Sequence, residues 1–170
     1  ARLIEVALQH VVPHHAQDPQ KHAVETRLLA AFMARYQDSV CEASTVYPGV
    51  AEFVAAARDA GIRLACVTNK PYRPAVALLE ALNLLDAFEL IIGGDSLAHK
   101  KPHPEPLLHC LRHFEVTAAQ ALMVGDSRND VDAAKAAGVK SLALPYGYNH
   151  GESIEACEPD RLVASLAELI

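Results

Sequence analysis

The stretch ALMVGDSRNDVDAAKAAGVK, residues 121–140, sets the fold. It passes from an apolar run, Ala121 to Val124, through Gly125 and Asp126 into a polar turn. It continues as a helix of small residues, Asn129 to Ala137, which stops at Gly138. A short apolar run with no polar face belongs to a strand covered on both sides, the situation of a parallel sheet. Ala133, Ala134, Ala136 and Ala137 let the helix lie close on that sheet. Gly125 permits close backbone approach where the strand ends. Asp126 and Asp130 are delivered together to that end. Two carboxylates at about 4 Å, in an effective dielectric near 20, repel by roughly 4 kcal/mol. A hard dication such as Mg²⁺ relieves that repulsion. The competing reading makes both aspartates helix N-terminal acids that complement the helix dipole.

The same alternation extends on both sides. Pro48 and Gly49 open a helix to Ala60, with Gly61 as its stop. Leu64 to Val67 read as a strand, Pro74 to Leu82 as a helix, Glu89 to Ile92 as a strand and Pro104 to Phe114 as a helix. Thr117 caps a short turn, Ser141 to Leu144 form a fourth strand, and Asp160 caps a final helix running to Ile170. The spacing predicts an α/β fold, a Rossmann-like parallel sheet with helices on both faces. Residues 1–46 differ, being helical only. Leu3, Val6, Ala7 and His10 fall at helical spacing, and Val24, Leu28, Phe32 and Tyr36 recur every fourth residue, widened by Leu29, Met33 and Val40. A helical hairpin over 1–46 and an α/β core over 47–170 are the predicted domains.

Of 170 residues, 51% are apolar and 21% charged, which excludes wholesale disorder. A net charge of −6 argues against nucleic acid as a partner. No apolar run is long enough to cross a bilayer, and no signal pattern opens the chain. Cys41, Cys66, Cys110 and Cys157 are scattered without a C-x-x-C pair, so a reducing, cytoplasmic setting is expected.

In a parallel sheet, ligands gather at the carboxyl ends of the strands. Besides the quoted stretch, two loops concentrate polar groups there. In LACVTNKP, residues 64–71, an apolar strand ends in Thr68 and Asn69, whose hydroxyl and amide beside free backbone N–H groups make an anion cradle. An ordinary Asx or Thr turn explains the same residues. In GGDSLAHKKPHPEP, residues 93–106, Lys101 precedes Pro102 and stands as a point charge for a phosphate or a carboxylate pair. Lys100 competes for that role, and a solvated loop lysine is the alternative.

In this order VTNK, KKPHP and VGDSRND resemble motifs II, III and IV of the haloacid-dehalogenase superfamily of phosphatases. The tail SLALPYGYNHGESI, residues 141–154, looks like the phosphoglycolate phosphatases within it. The resemblance runs from Tyr47 to the C-terminus, and residues 1–46 look like part of the helical cap of such enzymes. It implies a Mg²⁺-dependent phosphomonoester hydrolase of small phosphorylated metabolites, with 2-phosphoglycolate foremost. An aspartate nucleophile would form an aspartyl-phosphate that water then hydrolyses with help from a second aspartate. By motif matching, Thr68 would bind the transferring phosphoryl group and Asn69 would help orient it. Lys101 would offset negative charge, and Asp126 would hold Mg²⁺, with Asp130 as a second or water-mediated contact. A monomer or homodimer is expected, with no membrane and no nucleic acid as partner.

Motif I of that superfamily, an aspartate pair after an N-terminal apolar strand, has no match. Asp18 and Asp38 sit in helical, polar surroundings with no strand before them. The missing segment would also be the central strand, between the strands ending at Val67 and Val124. The chain is therefore expected to be part of a longer polypeptide and inactive alone. Alternatives are a sugar-phosphate phosphatase, a pyrophosphatase, a phosphomutase-like enzyme, or a non-catalytic binding module of the same fold. The nine histidines raise a transition-metal site, with His109 and His113 at i, i+4 and His14 beside His15. Lacking a third ligand at matching spacing, these are read as surface histidines.

Overall fold

A computed structural model describes residues 24, 26–28, 31, 44–147 and 153–170. The chain divides into two compact units, Ala1–Ala43 and Ser44–Ile170. In the first, the described residues 24, 26–28 and 31 are helical, as the apolar spacing predicts there. The rest of the predicted hairpin, including Asp18, Asp38, His14 and His15, lies outside the described residues, as do residues 148–152 of the tail.

The second unit alternates helix and strand. Helix α1 spans Val50–Asp59, β1 Ala65–Val67, α2 Tyr72–Ala81, β2 Leu90–Ile92 and α3 Glu105–Phe114. Then follow β3 Leu122–Gly125, α4 Arg128–Ala137, β4 Lys140–Ala143 and β5 Arg161–Leu162. All described pairings are parallel: β1 with β2 (Val67 opposite Ile92), β3 with β4 (Gly125 opposite Ala143) and β4 with β5. They form two sheets, β1–β2 and β3–β4–β5, and β1 and β3 are not paired with each other. Among the described residues no helix is long and apolar enough to cross a membrane.

Both faces of the β3–β4 sheet are covered, and alternate residues of β4 show why its sequence lacks a polar side. Ala143 is fully buried with Val131 of α4, Ile154 and Cys157. Its neighbour Leu142 faces the other way, into a cluster with Leu144, Val163 and Leu166 that Val50 and Phe53 of α1 cover. Ala133 and Ala134, with no exposed surface, pack on Leu107 of α3 and Val139, with Val67 and Met123 against them. Burial of a side chain such as Leu107 contributes about 1.5–3 kcal/mol. The small residues of α4 are what let α3 and the strands close on it.

The C-terminus departs from the expectation of a helix capped by Asp160. The chain there pairs as β5 alongside β4 and then makes one 3₁₀ turn, Leu166–Leu169. The cause is the partner that Asp160 finds. Its carboxylate accepts the Ser141 backbone N–H at 2.9 Å, the Ser141 hydroxyl at 3.1 Å and the Lys140 ammonium at 2.5 Å. These bonds dock residue 160 on the start of β4 and leave it no helix N-terminus to cap. The Lys140 hydrogen bond, followed by that of Ser141, holds the Asp160 carboxyl down at about 2. A depressed carboxyl stabilises the fold above its ordinary value of 3.8, and the contribution is lost as pH falls towards 2. Asp160→Asn is accordingly expected to flatten the loss of stability between about pH 4 and 2 in acid unfolding followed by circular dichroism. An unchanged acid limb would remove Asp160 from that account.

Candidate active site

Three loops converge at the carboxyl ends of β1, β2 and β3, and one side chain ties them together. Lys101 is 7% exposed. Its ammonium donates to the Val67 carbonyl at the end of β1 and to Asp130 Oδ1, 2.6 Å away, in the first turn of α4. It thereby joins the ends of the two sheets. Its neighbour Lys100 is exposed, so of the two adjacent lysines it is Lys101 that is built into the site. The Lys101–Pro102 peptide is cis.

Asp130 is itself buried, 5% exposed. Its Oδ2 accepts from the Asp126 N–H at 3.1 Å, the Ser127 N–H at 3.0 Å and the Ser127 hydroxyl at 2.8 Å. With Ser127 as N-cap this forms a capping box in which an aspartate takes the place of the usual glutamate. Oδ2 is filled by these three donors, whereas Oδ1 keeps one lone pair beside the Lys101 ammonium.

Asp126 is the half-buried counterpart. Among the described residues no cation forms an ion pair with its half-buried carboxylate. Burial, followed by the negative charge of Asp130, pushes its carboxyl above the ordinary value, with Lys101 pulling weakly the other way. An ionised carboxylate in that position gains most from a hard cation, and the donor set of oxygens fits Mg²⁺. Two glycines make room. A Cβ on Gly125 would lie 2.3 Å from the Asp130 Cβ, and one on Gly147 would lie 2.1 Å from the Asp126 Cβ. The loop after β4 thus presses its backbone against Asp126, which no side chain at position 147 would permit.

Thr68 and Asn69 follow the end of β1, and the local turn is visible there. The Thr68 hydroxyl accepts the Lys70 N–H at 3.1 Å, a local turn, while the Thr68 N–H donates to the Ile92 carbonyl. Asn69 Nδ2 donates to the Lys101 carbonyl at 2.8 Å, which fixes the loop carrying the lysine. Its Oδ1 is buried with no hydrogen-bond partner among the described residues.

Tyr146 was not singled out by the sequence. Its ring lies 4.5 Å from that of Tyr47, tilted by 37°, and its buried hydroxyl has no partner among the described residues. Burial, and then the negative charge of Asp126, raises its phenol above the ordinary value. The signal available was the Tyr-Gly-Tyr run directly after a strand, where backbone and ring approach the strand ends. His109 and His113 join no cluster of three ligating groups among the described residues.

The model of a family described as haloacid dehalogenase-like hydrolase matches residues 1–144. A phosphoglycolate phosphatase of Nitrosococcus oceani is 42% identical over 99% of this chain and 73% of its own length. That of Escherichia coli K12 is 44% identical over 86% of this chain and 58% of its own. The chain thus spans between about three fifths and three quarters of these curated relatives. Among solved structures, a predicted phosphoglycolate phosphatase from Haemophilus somnus 129PT superposes with a TM-score of 0.82 at 34% identity. That match covers 89% of this chain and 66% of the other. The CbbY protein of Rhodobacter sphaeroides, in complex with phosphate, superposes at 0.75 with 32% identity, covering 91% and 67%.

Proposed function

The chain belongs to the haloacid dehalogenase-like hydrolase family, and from that premise we propose that it forms the core of a Mg²⁺-dependent phosphomonoester hydrolase of small metabolites, with 2-phosphoglycolate its foremost substrate. One observation carries the proposal. A buried ammonium, Lys101, is pinned between Val67 and Asp130 beside a carboxylate, Asp126, whose pKa is raised and which pairs with no cation among the described residues. A fixed positive charge next to a site that calls for a dication is an environment for a dianion such as a phosphate ester.

Each residue then has a task. The Thr68 hydroxyl would bind the transferring phosphoryl group. Asn69 would act by holding the Lys101 backbone. Mg²⁺, held by Asp126, would neutralise charge on the phosphoryl oxygens. Of the two contacts expected of Asp130, the water-mediated one is favoured, because only an Oδ1 lone pair is left. Its larger part is to hold Lys101 and the turn at Asp126.

The attacking group is proposed to be an aspartate carboxylate other than Asp126 and Asp130. Its oxygen would bond to phosphorus as the alkoxide leaves and takes a proton from a second aspartate. Water, giving a proton back to that aspartate, would then release phosphate.

Phosphate release from a panel of phosphomonoesters by the complete encoded polypeptide tests this. The expected result is turnover that EDTA abolishes and Mg²⁺ restores, with the highest kcat/KM for 2-phosphoglycolate. Absence of turnover on every phosphomonoester would sink the enzyme reading. A preference for a sugar bisphosphate would favour the second substrate class, since CbbY, 32% identical, has been solved with xylulose-1,5-bisphosphate.

A further inference from the structure

The loop between β2 and α3, with the first residue of α3, holds a second group of ligating side chains, on either side of Lys101 and separate from Asp126 and Asp130. A ring nitrogen of His99, a ring nitrogen of His103 and a carboxylate oxygen of Glu105 all lie within 4.8 Å of one another. His99 Nδ1 is 3.0 Å from Glu105 Oε2, and the His99 backbone N–H donates to the same oxygen at 2.7 Å. The two imidazoles stack with centroids 4.1 Å apart, and His103 Nδ1 accepts the Glu105 N–H at 3.1 Å. The same loop surface, with Pro102 and Pro104, lines an open depression. Both histidines are exposed, so a cation reaches them from solvent.

We propose that His99, His103 and Glu105 bind a borderline divalent cation of the Zn²⁺ class, at a site distinct from the Mg²⁺ carboxylate. Two imidazoles and one carboxylate are a donor set that suits Zn²⁺, whereas an all-oxygen site suits Mg²⁺. Tetrahedral ligands at about 2.0–2.2 Å from zinc stand roughly 3.3–3.5 Å apart. The His99–Glu105 pair therefore needs to open by only about 0.3–0.5 Å, with the cation taking the place of the direct contact between Nδ1 and Oε2. The remaining ligand must close by no more than roughly 1.5 Å, a rotamer adjustment for an exposed ring. Coordination through His103 Nδ1 would return the Glu105 N–H to water, and water would complete the fourth position. Because the three ligands flank Lys101, the bound cation would clamp both sides of the loop that positions it.

The test is calorimetric titration of the complete polypeptide with Zn²⁺ under excess Mg²⁺, with Co²⁺ absorption as a second readout. One equivalent should bind in the wild type and in Asp126→Asn. Affinity should fall on the order of 10-fold or more in Glu105→Gln and be lost in the His99→Ala, His103→Ala double variant. Independently of variants, Zn²⁺ should shift the imidazole proton resonances of His99 and His103 ahead of those of other histidines. Binding that survives the double variant would overturn the proposal, as would binding lost in Asp126→Asn alone, or the absence of both heat and a Co²⁺ band.

Discussion

Replacing Lys101 by alanine is expected to lower phosphate release on the order of 10² or more and to destabilise the fold by about 3–5 kcal/mol. The two effects share one cause. Lys101 and Asp130 are both about 8% exposed at the side chain and lie 2.6 Å apart, so removing the ammonium leaves a buried carboxylate without its counter-charge. The Val67 carbonyl loses its donor at the same time, and the two sheets lose the side chain that joins their ends. Urea midpoints with an unchanged m-value measure the stability loss, and single-turnover phosphate release measures the rate.

A second variant separates structure from chemistry. Lys101→Met combined with Asp130→Asn removes both charges, and a buried pair replaced together is often close to neutral for stability. The double variant should therefore recover most of the urea midpoint. It should recover none of the turnover, because the positive charge meant for the phosphoryl group is gone. Recovery of both would make Lys101 a structural residue only, and near-wild-type turnover in Lys101→Ala would remove it from the site.

This pair also shows where reading the sequence reaches its limit. The apolar runs and the Gly and Pro punctuation locate α1 to α4 and β1 to β4 to within about two residues, because β1, β2 and β3 are short apolar runs set between helices. Asp160 misleads because the same residue serves as a helix cap or as a partner for the start of β4. Only the tertiary position of Ser141 and Lys140 decides between them. Lys101 and Asp130 are each visible as candidates, yet 29 residues separate them, and their hydrogen bond depends on where two loops meet. The spacing of Asp126 and Asp130 suggests equivalent carboxylates. The fold makes them unequal, with Asp130 held by four donors and Asp126 paired with no cation among the described residues. The contact of Gly147 with Asp126 and the ligand cluster around Lys101 are products of loop paths, which no periodicity encodes.

That inequality leads to the prediction with opposite signs. Asp126→Asn is expected to abolish Mg²⁺-dependent turnover and to make the metal-free protein more stable than the wild type at neutral pH. Burial and the charge of Asp130 raise the Asp126 carboxyl in the fold, so the folded state holds its proton more tightly than the unfolded state does. Stability is then unaffected by this group below the unfolded value, falls as pH rises from the ordinary value of 3.8 through the raised one, and stays lower beyond it. An amide of the same shape carries no charge to desolvate, so its curve should lack that fall. Mg²⁺ reverses the penalty in the wild type by binding the folded state, which adds about 2.7 kcal/mol at a hundredfold excess over Kd. In Asp126→Asn this increment should vanish. Melting curves in EDTA and in Mg²⁺ at pH 4, 5.5 and 7 measure both parts. A variant that keeps the Mg²⁺ increment would place the cation elsewhere. A variant less stable than the wild type in EDTA at pH 7 would mean that the Asp126 carboxylate supports the fold instead of straining it, and the dication would lose its physical reason to be there.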